Sequence, residues 1–436
     1  MTEELYQKYL QVLREELIPA MGCTEPIAIA YAAALAVKVL GTKPEKAVVR
    51  ASANIIKNAK SVNVPNTGGK KGIEAAAAAG IAAGDPDREL EVLAGVREDQ
   101  LPEIDRVLAE LPISVVRSEK PYIFDIQVEL TAGEHQAKAE LAGGHTNVVL
   151  LQKDEEIYVY KEYSENSAVS SASSDRDFLS VEGIVEFADR AELRDVQEVL
   201  QRQIDCNMAI AEEGISGKWG ARIGATLLRA YGEEVHNKAK SYAAAGSDAR
   251  MSGCELPVVI NSGSGNQGMT ASVPVIVYAR EMKASEELLF RSLLVANLVT
   301  IHLKTGIGKL SAYCGATSAG CGAGAGICYL HGGKTHEIAH TIVNALAINS
   351  GMICDGAKPS CAAKIASAVE AGLLGWQMQR GGTEFFDGEG IVTKGVENTI
   401  RNVGLLARLG MAETDREILR IMMKEEPERG IIKPCD

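Results

Sequence analysis

The sequence predicts an α+β fold, with a mixed α/β domain that contains an antiparallel meander and a larger all-helical catalytic domain. Two patterns lead to this prediction. Residues Phe124 to Leu130 alternate apolar and polar side chains, which is typical of a half-buried strand. From about residue 180 onwards, apolar residues recur at helical spacing. The hydrophobic content of 46% and charged content of 24% are those of an ordinary folded chain.

The first 112 residues alternate between helices, turns and a short strand. We expect an amphipathic helix over 3–20, and a second helix that Thr24 caps and that continues to about residue 40. The segment 46–112 is expected to hold a short strand, an alanine-rich helix over 71–84 and a helix over 98–111.

The segment 113–163 reads as the meander, and the run Ser164–Ser174 is the best candidate for a linker. The remaining chain is predicted to be helical over 180–190, 192–213, 217–231, 267–282, 285–304, 311–330, 336–350, 361–378, 394–408 and 414–424. We therefore predict three parts: 1–41, two helices that carry Cys23 and pack on the helical domain; 42–168, the α/β domain; and 169–436, the helical domain.

Composition excludes several classes of partner. The formal charge is −13 with no offsetting basic block, so neither nucleic acid nor a membrane surface is expected as a partner. The acidic N-terminus has no signal-peptide character, which predicts a cytoplasmic protein. Nine cysteines are an odd number, and a reducing compartment disfavours disulfides. With only 5% aromatic residues but 43 glycines, the core is expected to pack through small side chains.

Two motifs suggest sites of different kinds. His336-Glu337-Ile338-Ala339-His340 matches the zinc-protease pattern H-E-x-x-H, although a surface-facing helical turn is the more common explanation. The turn Gly263–Gly268 matches G-x-G-x-x-G, but no strand–helix alternation follows as a dinucleotide fold requires. Such a turn at a helix N-terminus still suits an anion, for example a substrate carboxylate.

Five of the nine cysteines lie between residues 314 and 361. Cys314, Cys321 and Cys328 are seven apart, so on one helix each lies about 10 Å beyond the last, and a compact cluster would take one of them. Cys354 and Cys361 flank a loop broken by Gly356 and Pro359. Two cysteines from the loop and one from the helix would make a three-cysteine site. Spacing alone leaves a metal cluster and buried structural cysteines as alternatives.

Five segments together resemble the L-cysteine desulfidase family of bacteria and archaea, which is related to the α-chain of iron–sulfur L-serine dehydratases. They are Gly22–Pro26, Asn66–Gly69, Gly144–Asn147, Ser262–Gly268 and Gly351–Lys358. The likeness spans nearly the whole chain, and the combination is more specific than any single segment.

The resemblance implies β-elimination of L-cysteine to hydrogen sulfide, ammonia and pyruvate, with a [4Fe–4S] cluster and without pyridoxal phosphate. The ligand spacing that it implies, Cys-x39-Cys-x6-Cys, selects Cys314, Cys354 and Cys361. Cys23 becomes a catalytic candidate, as the base or a ligand to the open iron. The substrate, a small amino acid, would contact the segments that the likeness singles out: Asn66, Thr67, His145, Thr146, Asn147, Ser262, Ser264 and Asn266.

Several alternatives remain at this stage. The dehydratase ligand segment is more similar to Gly320-Cys321-Gly322, which makes Cys321 the competing first ligand. Cys435, next to the last residue, could enter the site as a C-terminal cysteine does in serine dehydratases, although a frayed terminus is the simpler expectation. The rival functions are an L-serine dehydratase with the same site and a non-catalytic cysteine- or metal-binding protein. A homo-oligomer is a further expectation.

Overall fold

The computed structural model describes residues 1–164, 176–308 and 311–423. It confirms the α+β class: a six-stranded mixed sheet lies in the first part of the chain and helices fill the rest. One large hydrophobic core runs through both parts. The domain boundaries at 41/42 and 168/169 stay predictions.

The six-stranded sheet has the order β3-β2-β4-β5-β6-β7. Strands β2 and β3 pair in parallel, and all other neighbours are antiparallel. The predicted meander is therefore correct and forms four of the six strands. The six strands are β2 (Lys46–Ala51), β3 (Ile113–Arg117), β4 (Asp125–Ala132), β5 (His135–Ala142), β6 (Val148–Lys153) and β7 (Glu156–Tyr160).

The two N-terminal helices pack on different parts of the molecule. Helix α1 (Glu3–Glu16) contacts the helical part, as predicted, and Thr2 caps it. Helix α2 (Thr24–Leu40) instead lies against β4, β5 and the alanine-rich helix α4 (Gly72–Ala83). Twelve of the 17 residues of α2 are buried, because alanines on several sides allow neighbours to pack closely around the helix.

A second, two-stranded sheet was not predicted. Strand β1 (Pro19–Met21) pairs antiparallel with β8 (Pro257–Val259). This pairing ties the segment that carries Cys23 to the turn around Ser262, although the two are far apart in sequence.

The other helices lie in both parts of the chain, and most of them agree with the predicted positions. They are α3 (Ala53–Ala59), α5 (Leu101–Glu110), α6 (Val181–Arg190), α7 (Leu193–Ser216), α8 (Ile223–Tyr231), α9 (Val235–Met251), α10 (Gly265–Met282), α11 (Glu286–Ile307), α12 (Gly315–Leu330), α13 (Thr335–Ile348), α14 (Cys361–Arg380), α15 (Val396–Leu405) and α16 (Ala412–Met423). Short 3-10 turns occupy Pro86–Glu91 and Glu98–Gln100, and a π turn occupies Leu406–Gly410.

Helix α12 is the centre of the helical part. It is buried from Ala316 to Leu330 and contacts α10, α11, α13 and α14. A Cβ atom added at Gly324 would lie 2.4 Å from the backbone oxygen of Gly372 on α14, and one at Gly320 would lie 2.1 Å from that of Ala368. The backbones of α12 and α14 therefore touch along one seam, which fits the expected core of small residues.

Several predicted boundaries were wrong. The helix predicted over 217–231 begins at Ile223, because Gly220 and Arg222 have left-handed φ angles of 52° and 54°. The helix predicted over 311–330 begins at Gly315. Helix α9, helix α3 and strand β3 were missed. Most of the predicted linker Ser164–Ser174 lies outside the described residues, as does Cys435.

Helix α11 is long and apolar enough to cross a membrane by length and composition, yet 72% of its apolar window is buried inside the protein. Burial of this extent is typical of the core helix of a soluble protein.

Candidate functional site

A cavity of about 110 Å³ lies where the N-terminal segment meets the helical part. A single water needs about 10–15 Å³, so the cavity has room for a small organic molecule or several waters. Its walls come from eight separate segments of the chain. The polar and sulfur-bearing lining residues are Cys23, Thr24, Glu25, Lys57, Asn58, His145, Arg250, Ser262, Ser264, Asn266, Gln267, Lys304, Ser311, Tyr313, Cys314, Cys354 and Cys361.

Cys314 and Cys354 are brought together by the backbone. Tyr313 and Ile353 form an antiparallel β-bridge between the two segments. The amide of Cys314 donates to the carbonyl of Met352 at 2.8 Å, and the amide of Cys354 donates to the carbonyl of Ala312 at 2.6 Å. The two thiols are consequently neighbours, and their pKa values shift in opposite directions. A hydrogen bond from Cys314 lowers the pKa of Cys354 and raises that of Cys314.

Cys361 is the first residue of α14 and completes the group of three cysteines. The loop before it turns at Gly356, and the Cys361 thiol lies 3.7 Å from the carbonyl oxygen of that glycine. Burial raises the pKa of Cys361, and the Cys354 thiolate adds to the effect. Cys321, the competing candidate, is buried inside α12 and does not line the cavity.

Cys23 reaches the same cavity from the N-terminal segment. It is buried, contacts the group formed by Val62, Met251 and Cys361, and lies 3.8 Å from the Met251 sulfur. Burial raises the pKa of its thiol to about 12, and the charge of Arg250 opposes that shift. Strand β1 and the hydrogen bond from the Thr24 hydroxyl to the Gly263 carbonyl (3.1 Å) hold this segment against the Ser262 turn.

Four helices begin at the cavity. Cys23 is the N-cap of α2, Ser264 is the N-cap of α10, Cys314 is the N-cap of α12, and Cys361 opens α14. Each helix N-terminus carries unpaired amides and a partial positive charge. Their convergence favours thiolates and other anions in this space.

Basic side chains add to this positive field. Lys57 is almost fully buried and forms an ion pair with Asp415 of α16, and its charge also lowers the pKa of Cys354. Lys304 of α11 is buried too; burial lowers its pKa to about 8, while Cys354 and Cys314 act in the opposite direction. Arg250 lies in the last turn of α9 and is 4% exposed.

The residues predicted to contact substrate divide into two sets. His145, Ser262, Ser264 and Asn266 line the cavity. Asn66, Thr67, Thr146 and Asn147 do not. The side chains of three of these four donate to backbone carbonyls: Asn66 to Leu93, Thr67 to Val64 and Asn147 to Ala142. These four residues therefore lie outside the lining of the cavity.

The residues present fit a four-iron cluster. Three thiols line one side of a cavity that has four helix N-termini and two buried lysines, a setting that stabilises anionic sulfur. No group of three or more His, Cys, Asp or Glu side chains within the described chain could hold a single metal ion. A four-iron cluster does not require such a group, because each cysteine binds a different iron.

The zinc-protease interpretation finds no support in the structure. His336 is 76% exposed, Glu337 accepts a hydrogen bond from the backbone amide of Lys334, and His340 pairs with Glu384. A third zinc ligand would have to come from another helix, and Glu370 of α14 pairs instead with His236 and Lys240. The H-E-x-x-H motif is therefore part of the helix start and its surface ion pairs.

Comparison with known proteins identifies the relatives of this fold and site. The family model of the serine dehydratase alpha chain matches residues 87–420. The chain belongs to the serine dehydratase alpha-chain family. It is also 56% identical over 423 residues to a UPF0597 protein of Desulfitobacterium hafniense, which covers 97% of this chain and 98% of the relative. UPF0597 proteins of Lachnoclostridium phytofermentans and Treponema denticola are 47% and 46% identical, over 96% of this chain and 100% and 98% of theirs.

Membership of the serine dehydratase family indicates a lyase-type enzyme of amino-acid metabolism. The matched span contains all three clustered cysteines and Arg250, whereas Cys23 lies before it. The UPF0597 relatives match nearly the full length of the chain, so the N-terminal segment belongs to the same family architecture.

The polar cavity residues that sequence reasoning missed include Lys57, Arg250, Gln267 and Lys304. They come from four different helices and share no spacing. Only Gln267 had a usable signal, because it lies within the Gly263–Gly268 turn that the sequence marked as an anion site.

Proposed function

We propose that this chain is an iron–sulfur lyase that β-eliminates L-cysteine to hydrogen sulfide, ammonia and pyruvate, without pyridoxal phosphate. The observation that carries the proposal is the cavity on which four helix N-termini and three thiols converge. The family match agrees with the class of reaction.

Cys314, Cys354 and Cys361 would hold the cluster. Bound there by three thiolates, a [4Fe–4S] cluster supplies an open iron, which is a Lewis acid for the leaving group of the substrate. Cys314 is favoured over Cys321 as the first ligand because it borders the cavity and hydrogen-bonds to Cys354.

The remaining groups of the chain bind and orient the amino acid. The carboxylate is bound at the start of α10, where Ser262, Ser264 and Asn266 line the cavity beside His145. In its thiolate form, which the charge of Arg250 favours against the effect of burial, the sulfur of Cys23 takes the proton from the α-carbon as the bond to the β-substituent breaks. The product, aminoacrylate, tautomerises, and water then hydrolyses the imine to pyruvate and ammonia.

L-Serine is the second candidate substrate. The family match favours it, because the matching family is that of the serine dehydratase alpha chain. L-Serine differs from L-cysteine only in carrying oxygen in place of the β-sulfur, and the same groups would act on it. The product would again be pyruvate and ammonia, with water as the leaving group.

The test is turnover by anaerobically reconstituted protein. Sulfide release from L-cysteine and pyruvate formation from L-serine are measured side by side, together with iron content and visible absorbance. The proposal expects a kcat/KM for L-cysteine above that for L-serine. The opposite order selects the dehydratase, and a loaded cluster that turns over neither substrate overturns both.

Cysteine variants provide matched controls within the same helical region. Cys354→Ala and Cys314→Ala should lose cluster and activity by about 100-fold or more, above the upper range for losing a residue that only supports a metal ligand. Cys321→Ala, also in the 314–361 region, should keep both. If Cys321→Ala loses the cluster and Cys314→Ala keeps it, the ligand assignment is wrong.

A further inference from the structure

Arg250 is a buried cation that pairs with no carboxylate among the residues that the structure describes. It lines the cavity, is 4% exposed, and its Nη1 donates to the Asn266 amide oxygen at 3.2 Å. Its Nε is buried without a hydrogen bond. Within the described part of the chain, no carboxylate forms an ion pair with it.

Burying an unpaired charge costs several kcal/mol unless a partner compensates it. A guanidinium has five N–H donors, and a neutral amide satisfies only one of them here. Gly265, the first residue of α10, leaves room for the Arg250 side chain, because a Cβ atom at this position would lie 2.5 Å from Nε. The first turn of α10 thus packs against a buried guanidinium whose partner among the described residues is a neutral amide.

We propose that Arg250 binds the α-carboxylate of the substrate and thereby restricts the site to α-amino acids. This inference rests on the proposed function and adds the residue that recognises the substrate class. A planar guanidinium matches a carboxylate through paired hydrogen bonds, and Asn266 holds one edge of it in position.

The cluster thiols are a less suitable partner for Arg250. The cations that act on Cys354 are Lys57 and Lys364, and those that act on Cys361 are Lys364 and Lys358. Arg250 instead lies against α10 and acts on Cys23, the proposed proton acceptor. A carboxylate on Arg250 would therefore place the α-carbon, which is bonded to it, on the Cys23 side of the cavity.

The test separates carboxylate recognition from turnover. L-Alanine has the substrate skeleton without a leaving group, and ethylamine is the same molecule without the carboxylate. Binding of each to the anaerobic holoprotein is measured by calorimetry for the parent chain, Arg250→Met, Arg250→Lys and the surface control Arg280→Met, whose residue pairs with Glu212.

We expect the parent and Arg280→Met to prefer L-alanine over ethylamine, and Arg250→Met to lose about 30-fold or more of that preference. Arg250→Lys should lose at least threefold, since lysine keeps the charge but not the paired geometry. An unchanged preference in Arg250→Met overturns the inference. If that variant does not fold, an unchanged preference in Arg250→Lys overturns it.

The outcomes also distinguish this inference from the proposed function. Preference for L-alanine that depends on Arg250, in a protein that turns over neither L-cysteine nor L-serine, would support the carboxylate site and reject the lyase proposal. Turnover of L-cysteine or L-serine, together with an unchanged preference for L-alanine in the Arg250 variants, would support the lyase proposal and reject carboxylate binding by Arg250.

Discussion

Replacing Gly324 by alanine tests whether the seam between α12 and α14 fixes the site. The added Cβ would lie 2.4 Å from the Gly372 carbonyl oxygen, a backbone atom that no side-chain rotation can move away. Real Cβ contacts stay beyond 3.0 Å, so the two helices must separate locally by about 0.6 Å or more. Cys361 begins α14 and Cys314 precedes α12, so a shift of either helix moves a proposed ligand.

The magnitude follows from two opposing effects. Overpacking in a dense core costs typically about 1–3 kcal/mol of the free energy of unfolding. Alanine in place of glycine within a helix returns up to about 1 kcal/mol. The matched control is Gly306→Ala in α11, where the nearest atom to the new Cβ is 3.5 Å away, an ordinary contact. The two variants should therefore differ by about 1–3 kcal/mol, since both share the propensity gain.

Thermal unfolding at one scan rate, with iron content after anaerobic reconstitution, measures both consequences. The melting temperature of Gly324→Ala should lie roughly 1–3 °C below that of Gly306→Ala, because a chain of this length has a large entropy of unfolding, and less iron should be bound per chain. If Gly324→Ala melts at or above the temperature of Gly306→Ala and binds iron fully, the seam does not determine the position of the ligands.

Three further predictions concern other parts of the structure. Asp248 is buried, and burial raises its pKa to about 6 from 3.8, so its contribution to the free energy of unfolding should fall by about 2 kcal/mol as pH rises from about 4 to 6. Denaturant melts of Asp248→Asn should show a smaller loss of stability over that range, and equal pH profiles of the two proteins would contradict this. Asp415→Asn should lower the free energy of unfolding by about 3–5 kcal/mol in the same melts, because it leaves Lys57 buried and unpaired. The control Glu413→Gln, in an exposed ion pair, should cost at most about 1 kcal/mol, and equal losses in the two variants would refute the distinction. Thr67→Val should lower the free energy of unfolding by about 1–3 kcal/mol through its lost hydrogen bond, with KM unchanged in the turnover assay; a raised KM would return Thr67 to the substrate site.

The elements that sequence reasoning found are those with a periodic apolar pattern. The alternation of Phe124 to Leu130 predicted the strand β4 correctly, although not its half-buried character, because Asp125 and Gln127 are buried. Helix α9 was missed because alanine, serine and glycine are buried on all its sides, which leaves no apolar stripe to detect. Strands β1 and β8 are three residues each, and their pairing joins distant segments that carry no local signal.

The site, like the fold, was predictable only where the sequence carried a local pattern. The spacing of Cys314, Cys354 and Cys361 agreed with the family resemblance, and the structure brings all three to one cavity. Spacing could not decide between Cys314 and Cys321, because the answer depends on where α12 begins. The Tyr313–Ile353 bridge holds the preceding residues in extended conformation and so makes Cys314 the N-cap. Arg250 had no motif, because only tertiary packing places it beside α10.

The pairing of β1 with β8 has a consequence for the order in which the molecule is made. Residues 19–21 leave the ribosome long before their partners at 257–259, about 240 residues later. At about 5–20 residues per second, the segment that carries Cys23 waits on the order of 10–50 s for the strand that positions it. Cys361 follows about 100 residues after that strand. The cavity therefore cannot be completed before Cys361 has been made, and a nascent chain that stops short of this residue cannot yet present the full set of thiols to an iron donor.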